Sequence, residues 1–144
     1  MVKQTAIMNN LYPVGIQSFR EIREGNYLYI DKTELIYRMV KTGKYYFLSR
    51  PRRFGKSLLV STIEAYFLGK KDLFKGLAME KLETEWKEYP VLHLDLNSKK
   101  YEDKLSPTAI LNQHLEKWEQ MYGDEKKNRS PEERFSYLIE KISI

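Results

Sequence analysis

A chain of 144 residues that is 42% hydrophobic and 13% aromatic is long enough to bury a core and too apolar to stay disordered. It has no cysteine, which excludes both a disulfide framework and a thiolate metal site. The net charge is +5, yet no Asp or Glu occurs between Leu35 and Ile63, a stretch that holds Arg38, Lys41, Lys44, Arg50, Arg52, Arg53 and Lys56; without these seven the rest of the chain sums to −2. The basic excess is therefore local and suits a polyanion such as a triphosphate or a nucleic-acid backbone.

In chain order, Asn10 to Gly25 is expected to be irregular around Tyr12-Pro13-Val14-Gly15-Ile16, and Tyr27 to Ile30 to be extended. Asp31 with Glu34 resembles a capping box that opens a helix to about Thr42, with Leu35, Ile36, Met39 and Val40 inward and Gly43 as its stop. Tyr45-Tyr46-Phe47-Leu48-Ser49, bounded by Gly43 and Pro51, predicts a buried strand. From Lys56 to Leu68 the pattern is helical, with Leu59, Ile63 and Tyr66 or Phe67 inward and Gly69 at the end. Lys70 to Trp86 predicts one or two short helices, with Phe74, Leu77 and Leu82 facing inward.

Pro90 introduces a second predicted strand, Val91 to Leu96. Ser106-Pro107 opens a helix that carries Leu111, Leu115, Trp118 and Tyr122 and stops at Gly123. A charged loop spans 124–129. Ser130-Pro131-Glu132-Glu133 then starts a helix with Phe135, Leu138, Ile139 and Ile142 on one face. Strands alternating with helices predict one α/β domain over 1–144, a P-loop NTPase-like three-layer fold with a mainly parallel sheet. Only two central strands are visible and the chain stops where the next is due, so the sheet is expected to be incomplete and the chain truncated.

The segment that carries chemistry is Arg50-Pro51-Arg52-Arg53-Phe54-Gly55-Lys56-Ser57. A phosphate-binding loop needs a strand before it, inward backbone N–H groups, and a helix N-terminus offering partial positive charge. The Gly-Lys-Ser of the usual pattern is intact, while Arg50 stands where the first glycine belongs. Gly55 would let the backbone approach phosphate, Lys56 would reach the β- and γ-phosphates, and the Ser57 hydroxyl would ligate Mg²⁺. Backbone amides from Phe54 to Leu58 would complete the cradle, and Arg52 and Arg53 would contact phosphate or pin the loop to carboxylates. His93 and His114 are isolated, and Trp118 belongs to an apolar stripe. Two alternatives stand beside nucleotide binding: a non-enzymatic nucleic-acid-binding domain using Lys44, Arg50, Arg52, Arg53 and Lys56, and a fragment whose open sheet edge pairs with another copy or a partner chain.

Several segments carry a family resemblance: Pro13-Val14-Gly15-Ile16-Gln17-Ser18-Phe19, Tyr29-Ile30-Asp31-Lys32-Thr33-Glu34-Leu35-Ile36, Phe47 to Leu58, Tyr66 to Leu77, and Tyr89-Pro90-Val91-Leu92-His93-Leu94-Asp95. On these the chain resembles the N-terminal part of the predicted AAA-ATPase-like family of bacteria, whose loop shares the arginine-rich form. The resemblance implies ATP rather than GTP, with Mg²⁺, and nucleotide contacts from Arg52, Arg53, Phe54, Gly55, Lys56, Ser57 and Leu58. It also implies an acidic Walker B strand and a nuclease-like domain, a route to nucleic acid, both beyond Ile144. Asp95 ends the second predicted strand but is followed by Leu96 rather than glutamate, so hydrolysis is doubtful in this chain. Asp31-Lys32-Thr33 is a hallmark of the resemblance that the residues explain only as helix capping, with a role near the nucleotide as the alternative. No signal peptide or membrane-spanning run is evident, which predicts a cytoplasmic protein.

Overall fold

The computed structural model describes residues 11–96, 106–123 and 128–143. Two compact units share the chain, Met1–Val91 and Leu92–Ile144.

The first unit begins with α1 (Phe19–Glu24), a helix where irregular structure was expected. Its signal is Ser18, whose hydroxyl accepts from the Glu21 amide at 3.4 Å. α2 (Thr33–Thr42) and α3 (Lys56–Phe67) follow, then a 3₁₀ turn (Lys71–Phe74) and α4 (Ala78–Leu82). α3 ends in a Schellman arrangement: the Lys70 amide donates to the Ala65 carbonyl and the Gly69 amide to the Tyr66 carbonyl, both at 3.0 Å. That closure needs left-handed backbone, and Gly69 supplies it at φ +64.

Phe19, Phe74 and Met79 are completely buried at the centre of this unit, with Ile36, Ala65, Tyr66 and Leu77 around them. The rings of Phe19 and Phe74 lie 4.9 Å apart, and those of Phe74 and Trp86 5.1 Å apart, within the range of favourable aromatic pairs. Arg23 ties α1 to the far side of this core, donating through Nε to the Leu73 carbonyl at 2.8 Å and through Nη2 to the Lys75 carbonyl at 2.6 Å. Two expected inward residues point outward instead. Leu35 and Leu82 are exposed, and the buried positions of α2 and α4 are Thr33, Ile36 and Met79.

The second unit is a helical hairpin of α5 (Pro107–Tyr122) and α6 (Pro131–Ile142). Both start at the predicted serine: Ser106 Oγ accepts from the Ala109 amide and Ser130 Oγ from the Glu133 amide, each at 3.3 Å. Leu115, Trp118 and Leu138 form its core. Ile139, expected inward, is exposed, and Arg134 takes the buried position one turn before Leu138. Most of the predicted charged loop 124–129 lies outside the described residues.

The expected three-layer α/β fold with a parallel sheet is overturned. Among the described residues no strand forms; the only pairing is an isolated parallel bridge between Leu11 and Tyr27. Among the described residues, the predicted strands Tyr45–Ser49 and Val91–Leu96 belong to no sheet. Tyr45 and Phe47 are 94% and 93% exposed, the reverse of a buried strand. Aromatic content favours extended backbone, but a strand exists only through a neighbour that pairs its N–H and C=O groups, and among the described residues no strand forms for either segment to join.

Candidate nucleotide-binding loop

The loop from Arg50 to Ser57 is exposed throughout and leads directly into α3, whose first residue is Lys56. Gly55 is the N-cap in left-handed backbone at φ +73. A Cβ added there would meet nothing within 4 Å, so the requirement for glycine is conformational and not steric. Arg53 is also left-handed at φ +66, a conformation that costs a non-glycine residue about 1 kcal/mol or more. Arg50, the residue in place of the first glycine, is not among the positive-φ residues. This loop does not ask that position for a glycine's backbone.

Three longer helices differ at their starts. α5 and α6 have serine side chains over their first amides, whereas α3 has no side-chain cap and no acid in its first turn. Its terminal N–H groups and the dipole behind them face the loop with no protein anion bonded to them among the described residues. Lys56 Nζ turns back to donate to the Arg50 carbonyl at 2.8 Å, spanning the loop. Arg52, Arg53 and Lys44 form no ion pair among the described residues, while Arg38 pairs with Glu34 and Lys41 with Glu83. Five of the seven cations in the acid-free stretch thus remain around the loop. Leu58 and Leu59 pack onto the core, anchoring the first turn of α3 beneath Ser57.

Beside α3, Asp31 and Thr33 have a different task from the one predicted. Lys32, not Asp31, is the N-cap of α2, and Glu34 pairs with Arg38 rather than completing a capping box. Asp31 Oδ1 accepts from the Thr33 amide at 2.9 Å and hydroxyl at 2.6 Å, and Asp31 Oδ2 accepts from the Ala78 amide at 2.7 Å. Thr33 Oγ1 in turn accepts from the Met79 amide at 3.0 Å. The two side chains therefore cap α4, a helix without a cap of its own, from across the unit. Partial burial opposes charge on Asp31, but the Thr33 and Ala78 hydrogen bonds win and hold its carboxyl below the usual range.

A second cluster joins α2, α3 and α4. Glu83, the C-cap of α4, accepts from the Tyr66 hydroxyl at 2.6 Å and pairs with Lys41 at 2.8 Å, and its other oxygen accepts from the Glu85 amide at 3.1 Å. Burial penalises this carboxylate, yet the donors from Lys41, Tyr66 and Glu85 outweigh it and hold its pKa at about 2. Burial and the neighbouring carboxylate push the Tyr66 hydroxyl up to about 12.

In the second unit, Asp95 is exposed and its carbonyl meets His114 Nε2 at 3.0 Å. No strand presents His93 or Asp95, and no cluster of three or more metal-ligating side chains occurs among the described residues. Trp118, expected in the core or at an interface, lies in the core. The charged pair missed in the sequence is Glu119 with Arg134: Nε and Nη2 reach the two carboxylate oxygens at 2.8 and 2.6 Å, and Nη1 donates to Asn112 Oδ1 at 3.0 Å. Both are buried, at 4% and 8% exposure. The available signal was an arginine four residues before Leu138 and a glutamate beside Trp118, two charges within apolar stripes.

No helix among the described residues is long and apolar enough to cross a membrane. No solved structure matches the chain. A protein of Azotobacter chroococcum mcd 1, described as an uncharacterized protein in the vnfD 5′ region, is 38% identical over 128 residues, which is 88% of this chain and 25% of that protein. The chain thus spans about a quarter of the length of this curated relative. The profile of the family described as predicted AAA-ATPase matches residues 13–144, the segment that contains the loop, α3 and both side-chain clusters. On that match the chain belongs to the predicted AAA-ATPase family.

Proposed function

We propose that the loop Arg50–Ser57 and the first turn of α3 bind the triphosphate of ATP together with Mg²⁺. The observation that carries this reading is the start of α3: an uncapped, acid-free helix N-terminus that begins at Lys56, directly behind a left-handed glycine. Amides from Phe54 to Leu58 supply neutral donors, Lys56 a mobile positive charge, and Arg52 and Arg53 further cations toward phosphate oxygens. The Ser57 hydroxyl is a hard oxygen donor suited to Mg²⁺, which keeps most of its waters and takes few protein ligands. Lys56 must leave the Arg50 carbonyl to reach phosphate, a movement that its long side chain permits. The choice of ATP over GTP rests on membership of the family. No hydrolytic base is assigned to the loop.

The test is equilibrium binding of a fluorescent ATP analogue with Mg²⁺ to the native chain and to Lys56→Ala. Losing one charge-assisted contact should weaken binding by about 1.5–3 kcal/mol, roughly ten- to a hundredfold. Equal affinity in the two proteins, or binding in neither, sinks the proposal for this chain.

A further inference from the structure

The start of α1 is held by a residue of α3. Phe19 is the first residue of α1 and is buried, so its amide has no carbonyl within its own helix to bond. Ser61 Oγ accepts from that amide at 3.0 Å. The single proton of the same hydroxyl has two acceptors in reach, the Leu58 carbonyl at 3.0 Å and the Gln17 carbonyl at 3.3 Å. Ser61 therefore links α3 to the start of α1, and its proton can strengthen either side of that link. At the other end of α1, Arg23 is fastened to the Leu73 and Lys75 carbonyls. The short helix is thus a strut fixed at both ends.

Ser61 stands four residues after Ser57, so the two project from one face of α3. Turning α3 about its axis moves both together, and the bonds at Ser61 oppose that turn. Mg²⁺ is the ligand most sensitive to it, because it demands near-octahedral geometry at about 2.1 Å. Phosphate oxygens, by contrast, can draw on several amides and a mobile lysine. We propose that Ser61 is a positioning residue for the Mg²⁺-dependent part of nucleotide binding, setting through α1 the rotation at which α3 presents the Ser57 hydroxyl. This inference rests on the nucleotide reading above and adds a residue that the phosphate-loop motif does not contain.

The experiment measures binding of the fluorescent ATP analogue with Mg²⁺ and again in excess chelator, and takes the ratio of the two affinities. Ser61→Ala is expected to lower that ratio roughly two- to tenfold, the size of one ordinary hydrogen bond. Ser61→Thr, which restores the hydroxyl, should recover most of it. Arg23→Ala loosens the far end of α1 and should lower the melting temperature while leaving the ratio as it is. Should Ser61→Ala fail to fold, the ratio is read on Ser61→Cys, which keeps the volume but offers only a weak donor and acceptor. An unchanged ratio, beside the expected loss of binding in Lys56→Ala, overturns this inference and spares the nucleotide site. A native chain that binds the analogue without regard to Mg²⁺ overturns it as well, and a native chain that binds none overturns both readings. An equal fall of the ratio in Arg23→Ala also sinks it, since general loosening of α1 would then be the cause.

Discussion

At the scale of single residues, the hallmark Asp31-Lys32-Thr33 turns out to be a long-range clasp. Capping is legible when the serine or aspartate sits next to its helix, as Ser106 and Ser130 do. It is not legible when the amide being capped lies 46 or 47 residues later, as Met79 and Ala78 of α4 do for Thr33 and Asp31. Removing either side chain orphans an amide of α4, and the Met79 amide is buried. Thr33→Val, which keeps the shape and deletes the hydroxyl, should destabilise the protein by about 1–2 kcal/mol in urea titrations. Asp31→Ala should cost a similar amount. Because the Thr33 hydroxyl donates to Asp31, the double variant should fall short of the sum of the two. Strict additivity would mean that the two side chains act independently and that the clasp is not a unit.

At the scale of elements, Glu83 joins the ends of α2, α3 and α4, and its chemistry sets a pH dependence. Its carboxyl has a folded pKa of about 2 against an ordinary 4.5. A group lowered in the folded state adds stability above its unfolded pKa and loses that contribution as pH falls through the folded value. The loss should therefore run from about pH 4.5 to about pH 2 and amount to on the order of 2 kcal/mol, once solvent screening of half-exposed Lys41 is allowed for. Tyr66 acts in the opposite direction. Raised from 10 to about 12, its hydroxyl gives stability that is complete below pH 10 and lost as pH rises toward 12. Glu83→Gln should flatten the acid limb of a plot of melting temperature against pH; an unchanged slope between pH 4.5 and 2 would remove Glu83 as its cause.

Element starts and stops were readable because serine, proline and glycine act locally: Gly43, Gly69 and Gly123 all stand where helices end. Faces were read less well. Leu35, Leu82 and Ile139 are apolar yet exposed, while Thr33, Glu119 and Arg134 are polar yet buried because each finds a partner inside. Hydropathy weighs a side chain alone, whereas burial depends on the bonds available to it. A buried bidentate pair such as Glu119 with Arg134 is easily broken by removing one member, since the other is left as an uncompensated charge.

For the whole molecule, alternating helical and β-forming segments pointed to layers around a sheet, and the described residues instead form two helical units. The sequence can propose a phosphate loop because the parts of that motif are consecutive, from Gly55 through Lys56 to Ser57, and the structure does start α3 at Lys56. A sheet needs segments far apart in sequence to meet, and no property of Tyr45–Ser49 alone records whether they do. The clasp from Asp31 and Thr33 to α4 carries a related consequence for how the first unit forms. Closing a loop of 47 residues carries an entropic cost of ~3 kcal/mol, which predicts that this contact forms late, after α2 and α3 have taken shape. Interactions absent from the transition state govern how fast a protein comes apart and hardly affect how fast it assembles. Thr33→Val should therefore speed unfolding in stopped-flow kinetics while leaving the refolding rate nearly unchanged, and a slowed refolding limb would place the clasp in the nucleus instead. Late closure would make the clasp a setter of lifetime: the whole Arg50–Ser57 loop lies within the span that it closes, and the time for which that loop stays framed by folded structure would be the time for which the clasp holds.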